Sequence, residues 1–394
     1  MVGPLENLRI VELGHVIAGP LAASLLSDFG AKVVKVETPG RSDMMRDLGP
    51  VAIDGVGVWW KTLARNKQIL GLDWKSEEGL KVLRKLVECS DVLVENFRPG
   101  VMNRLELGYD VLREVNPKLI YCAISGFGQD GPWLHRPAYD QIIQGASGLM
   151  SITGDTQSAP LRAGYPIADT IGGLTAALAI SGALNAPQRG TFIDVSMLEA
   201  TIATMGWAVS NYLIGGIEPT ANGNENLTSA PSGTFETADN PLNIAANKDE
   251  QWEALAHHLG REELLTRPEY ATREDRKANR AALKADLETT LRTRPARNWA
   301  RELNEIGVPA GAVFSVPEIL AHPQIADRGM LATFSDTPDV GRDITIVRTG
   351  YKIDGAAPDV STPPPGLGQH NDEIYRSLGI DDEALAKLKK EGTL

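Results

Sequence analysis

Asp169 is the residue whose setting most suggests chemistry. It has no charged neighbour between Arg162 and Arg189, and a long uncharged stretch, Thr170–Gln188, follows it. A poorly solvated carboxylate is a better nucleophile than a hydrated one, and Asp can form covalent acyl intermediates. The same residue, placed before Thr170-Ile-Gly-Gly and a helical run, also fits a helix N-cap. Residue types alone leave both readings open. Gly172 and Gly173 would let a ligand approach the backbone closely. A second pattern, Gly14-x4-Gly19, follows a short apolar run. It lacks the Lys-Ser/Thr of a P-loop, having Pro20-Leu21 instead, and it lacks the middle glycine of the dinucleotide fingerprint. Glu37 stands about where a ribose-binding acid would, but the pattern is equally that of a tight strand–helix turn, whose helix N-terminus can take an anionic group. The six histidines are scattered, there is no HExxH or GxSxG, and Cys89 and Cys122 have no CxxC spacing. A metal site, a serine hydrolase and a disulfide scaffold are therefore not expected.

The elements that would position these residues alternate. Leu8–Leu13 reads as a strand, Leu21–Phe29 as a helix ended by Gly30, and Lys32–Glu37, rich in β-branched residues, as a second strand. Ser76–Glu88 reads as a helix, and Asp91–Glu95 and Leu119–Ser125 as strands. This rhythm predicts an α/β fold with a mostly parallel sheet covered on both faces, and ligands at the carboxyl ends of its strands. Residues 168–214 read as apolar helices broken by a strand at Thr191–Ser196. Gly, Asn, Thr, Pro and Ser then dominate 215–233, which reads as a linker, and the composition of Asp249–Ile306 is that of surface helices. Two short strands are expected beyond Leu331, and an amphipathic helix at Asp381–Glu391. The expected division is 1–215 for a large domain, 216–330 for a linker and a small α+β domain, and 331–394 for a segment returning to the large domain.

The net charge of -12 argues against a nucleic-acid partner. Residues 1–110 carry 14 Lys+Arg against 15 Asp+Glu, and Lys32–Lys75 carries eight basic and five acidic residues, so the excess acid lies elsewhere. The N-terminus does not read as a signal peptide. Thr170–Gln188 approaches membrane-span length but contains polar residues and glycines, so it reads as a buried helix of a soluble, cytoplasmic protein with no membrane contact.

Taken in order, several stretches resemble the family III CoA-transferases. They are Pro4–Leu13, Ala18-Gly-Pro20, Gly30–Glu37, Glu95-Asn-Phe-Arg-Pro-Gly100, Ser125–Pro132, Ala168-Asp169 and Gly366-Leu-Gly-Gln-His370. Each is weak alone; their shared order over nearly the whole chain is specific. The resemblance implies a Rossmann-like large domain, a small domain and an interlocked homodimer, with the apolar helices after Asp169 as core and interface. It implies that Asp169 attacks an acyl-CoA thioester and that CoA passes to a carboxylate acceptor. It also implies that CoA lies against Val16, Ile17, Ala18, the Leu72–Lys75 turn (Leu72 and Lys75), Asn96, Phe97, Arg98 and Arg104, with Tyr139 beside the acyl end. Some relatives carry Arg where this chain has Thr38, so Arg41, Arg46 or Lys75 would have to supply a phosphate contact.

Within that family, the racemase branch carries a His-Asp pair where this chain has Tyr139-Asp140, and its chemistry needs a base on the α-carbon. Tyrosine is a poor base near pH 7, which favours transfer over racemisation. The formyl-CoA branch has a run of glycines that this chain lacks, so a small dicarboxylate pair with C4 or C5 acids is expected instead. The remaining alternatives are a nucleotide-binding oxidoreductase and a silent CoA binder.

Overall fold

The computed structural model describes residues 3–40, 42–49, 55–335, 337 and 342–390. The chain divides into two compact units: residues 1–149, 162–217 and 324–394 form the larger, and residues 150–161 and 218–323 the smaller. Residues 150–161, expected within the large domain, thus belong to the smaller unit.

The larger unit is built on six parallel strands, β1 (Arg9–Glu12), β2 (Lys32–Glu37), β3 (Lys67–Gly71), β4 (Val92–Glu95), β5 (Ile120–Ser125) and β6 (Thr191–Ser196). Their order is β3-β2-β1-β4-β5-β6, a doubly wound sheet whose order reverses between β1 and β4. Ahead of the smaller unit's main segment its helices are α1 (Ala18–Asp28), α2 (Val58–Ala64), α3 (Glu77–Glu88), α4 (Val101–Arg104), α5 (Tyr109–Val115), α6 (Asp140–Ala146), α7 (Ile167–Leu184), α8 (Met197–Thr204) and α9 (Trp207–Gly215), and the returning segment adds helices Asn371–Ser377 and Asp382–Lys390.

Strand side chains alternate between faces, so each strand feeds two cores. Ile10, Val33, Val92, Ile120 and Cys122 pack with Ala22, Ala23 and Leu26 of α1 and with Ala168, Ala176 and Ile180 of α7. Val11, Leu70, Leu93, Tyr121 and Ala123 pack with Val82, Leu83 and Leu86 of α3 and with Ile374, Tyr375 and Leu385 near the C-terminus. The returning segment is pinned to β3: Asn371 Oδ1 accepts from the Gly71 N–H at 2.8 Å, and the Tyr375 hydroxyl donates to the Gly71 carbonyl at 2.8 Å.

The smaller unit holds the antiparallel strands β7 (Ser232–Phe235), β8 (Leu242–Ala245) and β9 (Ala310–Ala312), with helices Asp249–His258, Arg280–Leu291 and Ala296–Glu305 closing a core around Phe235, Trp252, Leu287 and Trp299.

One sequence expectation changes. By length and composition α7 could cross a membrane, but it packs on the sheet and about a third of it is buried. Its other face is uncovered, with Leu178 74% exposed, so the burial read from composition holds for one face only.

Candidate active site

The switch point between β1 and β4 is where the doubly wound rule places a ligand. The turn leaving β1, Gly14–Ile17, and the turn leaving β4, Asn96–Gly100, meet there. Asn96 brackets His15: its Oδ1 accepts from the His15 N–H at 2.8 Å and its Nδ2 donates to the His15 carbonyl at 2.8 Å. This contact explains the Gly14-x4-Gly19 spacing. A Cβ on Gly14 would stand 3.2 Å from Asn96 Oδ1 and from the Gly19 Cα, and one on Gly19 would stand 3.3 Å from the same amide. The two glycines therefore let the turn close over Asn96. Val16 has φ +64°, a costly conformation for a β-branched residue, on the order of 1–3 kcal/mol. Its N–H is held by Asp43 Oδ1 at 3.1 Å.

Asp169 is not the N-cap of α7. It is the third residue of a helix that begins at Ile167 after an uncapping Pro166. The capping carboxylate comes from α6: Asp140 Oδ1 accepts from the N–H groups of Ala168, at 2.8 Å, and Asp169, at 3.3 Å. Gln144, one turn along α6, donates to Asp140 Oδ2 at 2.6 Å and accepts from the Ala163 N–H at 2.8 Å. The pair clamps the chain that delivers Asp169. Although Asp169 has no charged neighbour in sequence, it has one in space. Burial pushes its carboxyl up to about 7, and the like charge of Asp140 adds to the rise. One turn further on, a Cβ at Gly173 would lie 2.9 Å from the Ala18 carbonyl. Residues four apart share a helix face, so α7 brings Asp169 beside the start of α1 and the Gly14–Ile17 turn.

The other expected site residues fall in two groups. Val16 and Ile17 are half-buried, and Phe97 sets its ring edge against His15 at 5.2 Å and tilts on Trp74 at 5.6 Å. Lys75 is exposed, with its ammonium 5.7 Å from the Trp74 ring. Arg98 and Arg104 are exposed on the turn and helix after β4. Tyr139, the N-cap residue of α6, is 65% exposed. Three expectations need correction. Leu72 and Ala18 point into the core and are essentially inaccessible, so only their backbones can face a ligand. The Asn96 side chain is spent on His15, which makes it a positioning residue. Arg46 is not free for a phosphate: its Nε and Nη2 bind Glu37 at 2.7 and 3.1 Å, and its guanidinium lies 3.6 Å above the Trp60 ring. The same pair occupies Glu37, which is therefore no ribose ligand. Arg41 lies outside the described residues.

The surplus of basic residues in Lys32–Lys75 is likewise mostly internal. Lys35, Arg46, Lys61, Arg65 and Lys67 are buried. Lys35 and Lys67 both bind Glu12, at 2.8 and 2.6 Å, and Lys35 also binds Asp43 at 2.9 Å and the Gly14 carbonyl at 2.7 Å. Arg65 pairs with Asp28 at 2.7 Å. Burial works against the Asp43 carboxylate, but Lys35 and the Met45 N–H outweigh it and hold its carboxyl below the usual range. Among the described residues no group of three or more His, Cys, Asp or Glu side chains could hold a metal ion. Gln144, His15 and Asp43 escaped the sequence reading, and Asp140 entered it only beside Tyr139, not as a cap for Asp169. Only the Asp140–Gln144 spacing of four, on one helix face, hinted at a pair.

A doubly wound sheet with a partly desolvated aspartate one helical turn from the contact of α7 with the start of α1 is a general arrangement, and comparison with known proteins narrows it. Residues 5–371 match the sequence model of CoA-transferase family III. The chain is 39% identical to the acetyl-CoA:oxalate CoA-transferase of Acetobacter aceti over 89% of this chain and 90% of that one. It is 35% identical to the succinyl-CoA–D-citramalate CoA-transferase of Chloroflexus aurantiacus over 98% and 97%. The crystal structure of a CAIB/BAIF family protein from Brucella suis superposes with a TM-score of 0.86 at 34% identity, covering 96% of this chain and all of that one. The chain belongs to the family III CoA-transferases.

Proposed function

We propose that this protein transfers CoA from an acyl-CoA donor to a small dicarboxylic acid, with Asp169 as the covalent nucleophile. The observation that carries the reading is the setting of Asp169: a half-buried carboxyl pushed up to about 7, delivered by α7 beside the Gly14–Ala18 turn at the switch point. In its ionised form, Asp169 attacks the donor thioester carbonyl. The C–S bond breaks, CoA leaves as thiolate, and a mixed anhydride forms. The thiolate returns to the aspartyl carbonyl and expels the donor acid, leaving an aspartyl-CoA thioester. The acceptor carboxylate then attacks that carbonyl, and the released thiolate takes the acceptor's acyl group and frees Asp169. Each step exchanges one acyl bond for another of similar energy.

CoA would lie over Val16, Ile17 and the backbone of Ala18 and Leu72. Phe97, backed by the buried Trp74, would form an apolar wall, while Lys75, Arg98 and Arg104 would supply charge for the phosphates. Tyr139 would border the acyl group. The relatives' acids, oxalate and D-citramalate, are both dicarboxylic, which supports a dicarboxylate acceptor and keeps oxalate in contention despite the missing glycine run. The exposed apolar faces of α7 and α9 support a homodimer; its interlocking and its work in the cytoplasm are proposed from the family alone. The test is a panel of succinyl-CoA and acetyl-CoA against C2 to C5 dicarboxylates and monocarboxylates. New thioesters with dicarboxylates are expected. Deuterium wash-in at the α-carbon of a branched acyl-CoA, with no transfer, would favour a racemase instead.

A further inference from the structure

On the sheet face opposite α7, a cavity of about 270 Å³ opens between β4–β6 and the short helices α4 and α5. Of the residues proposed for CoA it contains only Arg98. Its buried charged group is Glu95, at the end of β4, which is only 4% exposed. Glu95 Oε2 accepts from the Phe97 N–H at 2.7 Å, while Oε1 has only the Tyr121 hydroxyl, at the hydrogen-bond limit of 3.5 Å. The buried carboxylates Glu12, Asp28, Glu37 and Asp43 each hold a buried Lys or Arg. Glu95 holds none, and the charge acting on it, Asp194, has the same sign. A buried carboxylate without a counter-ion is costly, so it either keeps a proton or awaits a cation. The cavity wall supplies what a cation needs. Tyr109, Tyr121 and Phe192 line it with ring centroids 5.5–6.1 Å apart; the exposed Asp110 at its edge faces Arg113 at 3.9 Å, and the Arg113 guanidinium lies 5.8 Å from the Tyr109 ring.

We propose that this cavity binds a small organic cation of the alkylammonium class, with Glu95 as its counter-ion and the three rings as its apolar, cation-attracting wall. Burial lifts Glu95 to about 8, so at pH 7 the site holds a proton that an incoming cation expels. An anion bound through Arg98 and the protonated carboxyl would instead draw a proton in. The two ligand classes therefore differ in the sign of proton linkage.

The test is titration calorimetry of the full-length protein at pH 7 with tetramethylammonium chloride, in buffers of different ionisation enthalpy, with potassium chloride as the inorganic control and no CoA present. Saturable binding with proton release is expected. Glu95→Gln should weaken it about 10-fold or more and abolish the release, and Phe192→Leu should weaken it about 2–5-fold. Thermal unfolding checks that both variants fold, and the sign of the linkage in the parent protein stands even if Glu95→Gln does not. An absence of saturable heat, proton uptake, an equal response to potassium, or unchanged affinity in Phe192→Leu would overturn the proposal. None of these readings depends on transferase activity.

Discussion

As the proposed nucleophile Asp169 would act only when ionised, and its carboxyl is held near 7 by burial and by Asp140. The rate at subsaturating acyl-CoA should therefore rise with pH through about 7 and level off above it. Asp140→Asn removes the like charge but keeps an oxygen to cap Ala168, so the rise should move to lower pH. At pH 6 the variant should retain about 2–5-fold more of its plateau rate than the parent enzyme. A rise centred near 4 in the parent enzyme would show that Asp169 is fully solvated. The same raised pKa is a stability statement. Because the folded carboxyl binds its proton more tightly than the unfolded one, its contribution turns unfavourable as pH rises from about 4 to 7. Asp169→Asn should then be more stable than the parent at pH 8, by about 1–2 kcal/mol after allowing for partial solvent exposure, as read from thermal unfolding, and should gain little at pH 4. In the sequence the importance of Asp169 was visible through the ordered motifs, and its isolation from charge was visible directly. Its true neighbour was not, because Asp140 is 29 residues away and reaches it through a helix cap.

Among the elements, strands made of β-branched residues are plain in the sequence: Lys32–Glu37 and Thr191–Ser196 run over those very residues. β3 is not, since Lys67-Gln-Ile-Leu-Gly71 looks half polar. Its lysine is buried because Glu12 and the Pro20 carbonyl receive it. The same tertiary pairing turned an apparent basic surface in Lys32–Lys75 into an internal network. Glu12 is its hinge, bridging Lys35 and Lys67 between β1, β2 and β3. Glu12→Ala should destabilise the fold by about 3–5 kcal/mol in urea or thermal unfolding, because the buried Lys67 ammonium loses its carboxylate and Lys35 keeps only that of Asp43. A loss below about 1 kcal/mol would mean that the pairs contribute little. The Gly14-x4-Gly19 spacing was legible as a turn. Its partner, Asn96, was legible only as part of a motif.

At the scale of the whole molecule, the alternation of strands and helices was enough for a parallel sheet, and its order came from the structure. The uncovered apolar residues belong to this scale too. Leu178 on α7 and Trp207 and Ile214 on α9 are 74%, 78% and 87% exposed, and no residue of α9 is buried. Large apolar side chains exposed to this extent are what the proposed homodimer would cover. Light scattering should give twice the 42.4 kDa chain mass, and a charged substitution at Ile214 should shift the protein toward monomer or aggregate. Monomeric parent protein at micromolar concentration would contradict the dimer. The central claim is the covalent role of Asp169. The most direct measurement is to mix the enzyme with succinyl-CoA and no acceptor, quench with hydroxylamine, and map the product by peptide mass spectrometry. A hydroxamate on Asp169, absent without the thioester and accompanied by complete loss of CoA transfer in Asp169→Ala, is the result predicted. An unmodified Asp169 together with an active Asp169→Ala enzyme would contradict it.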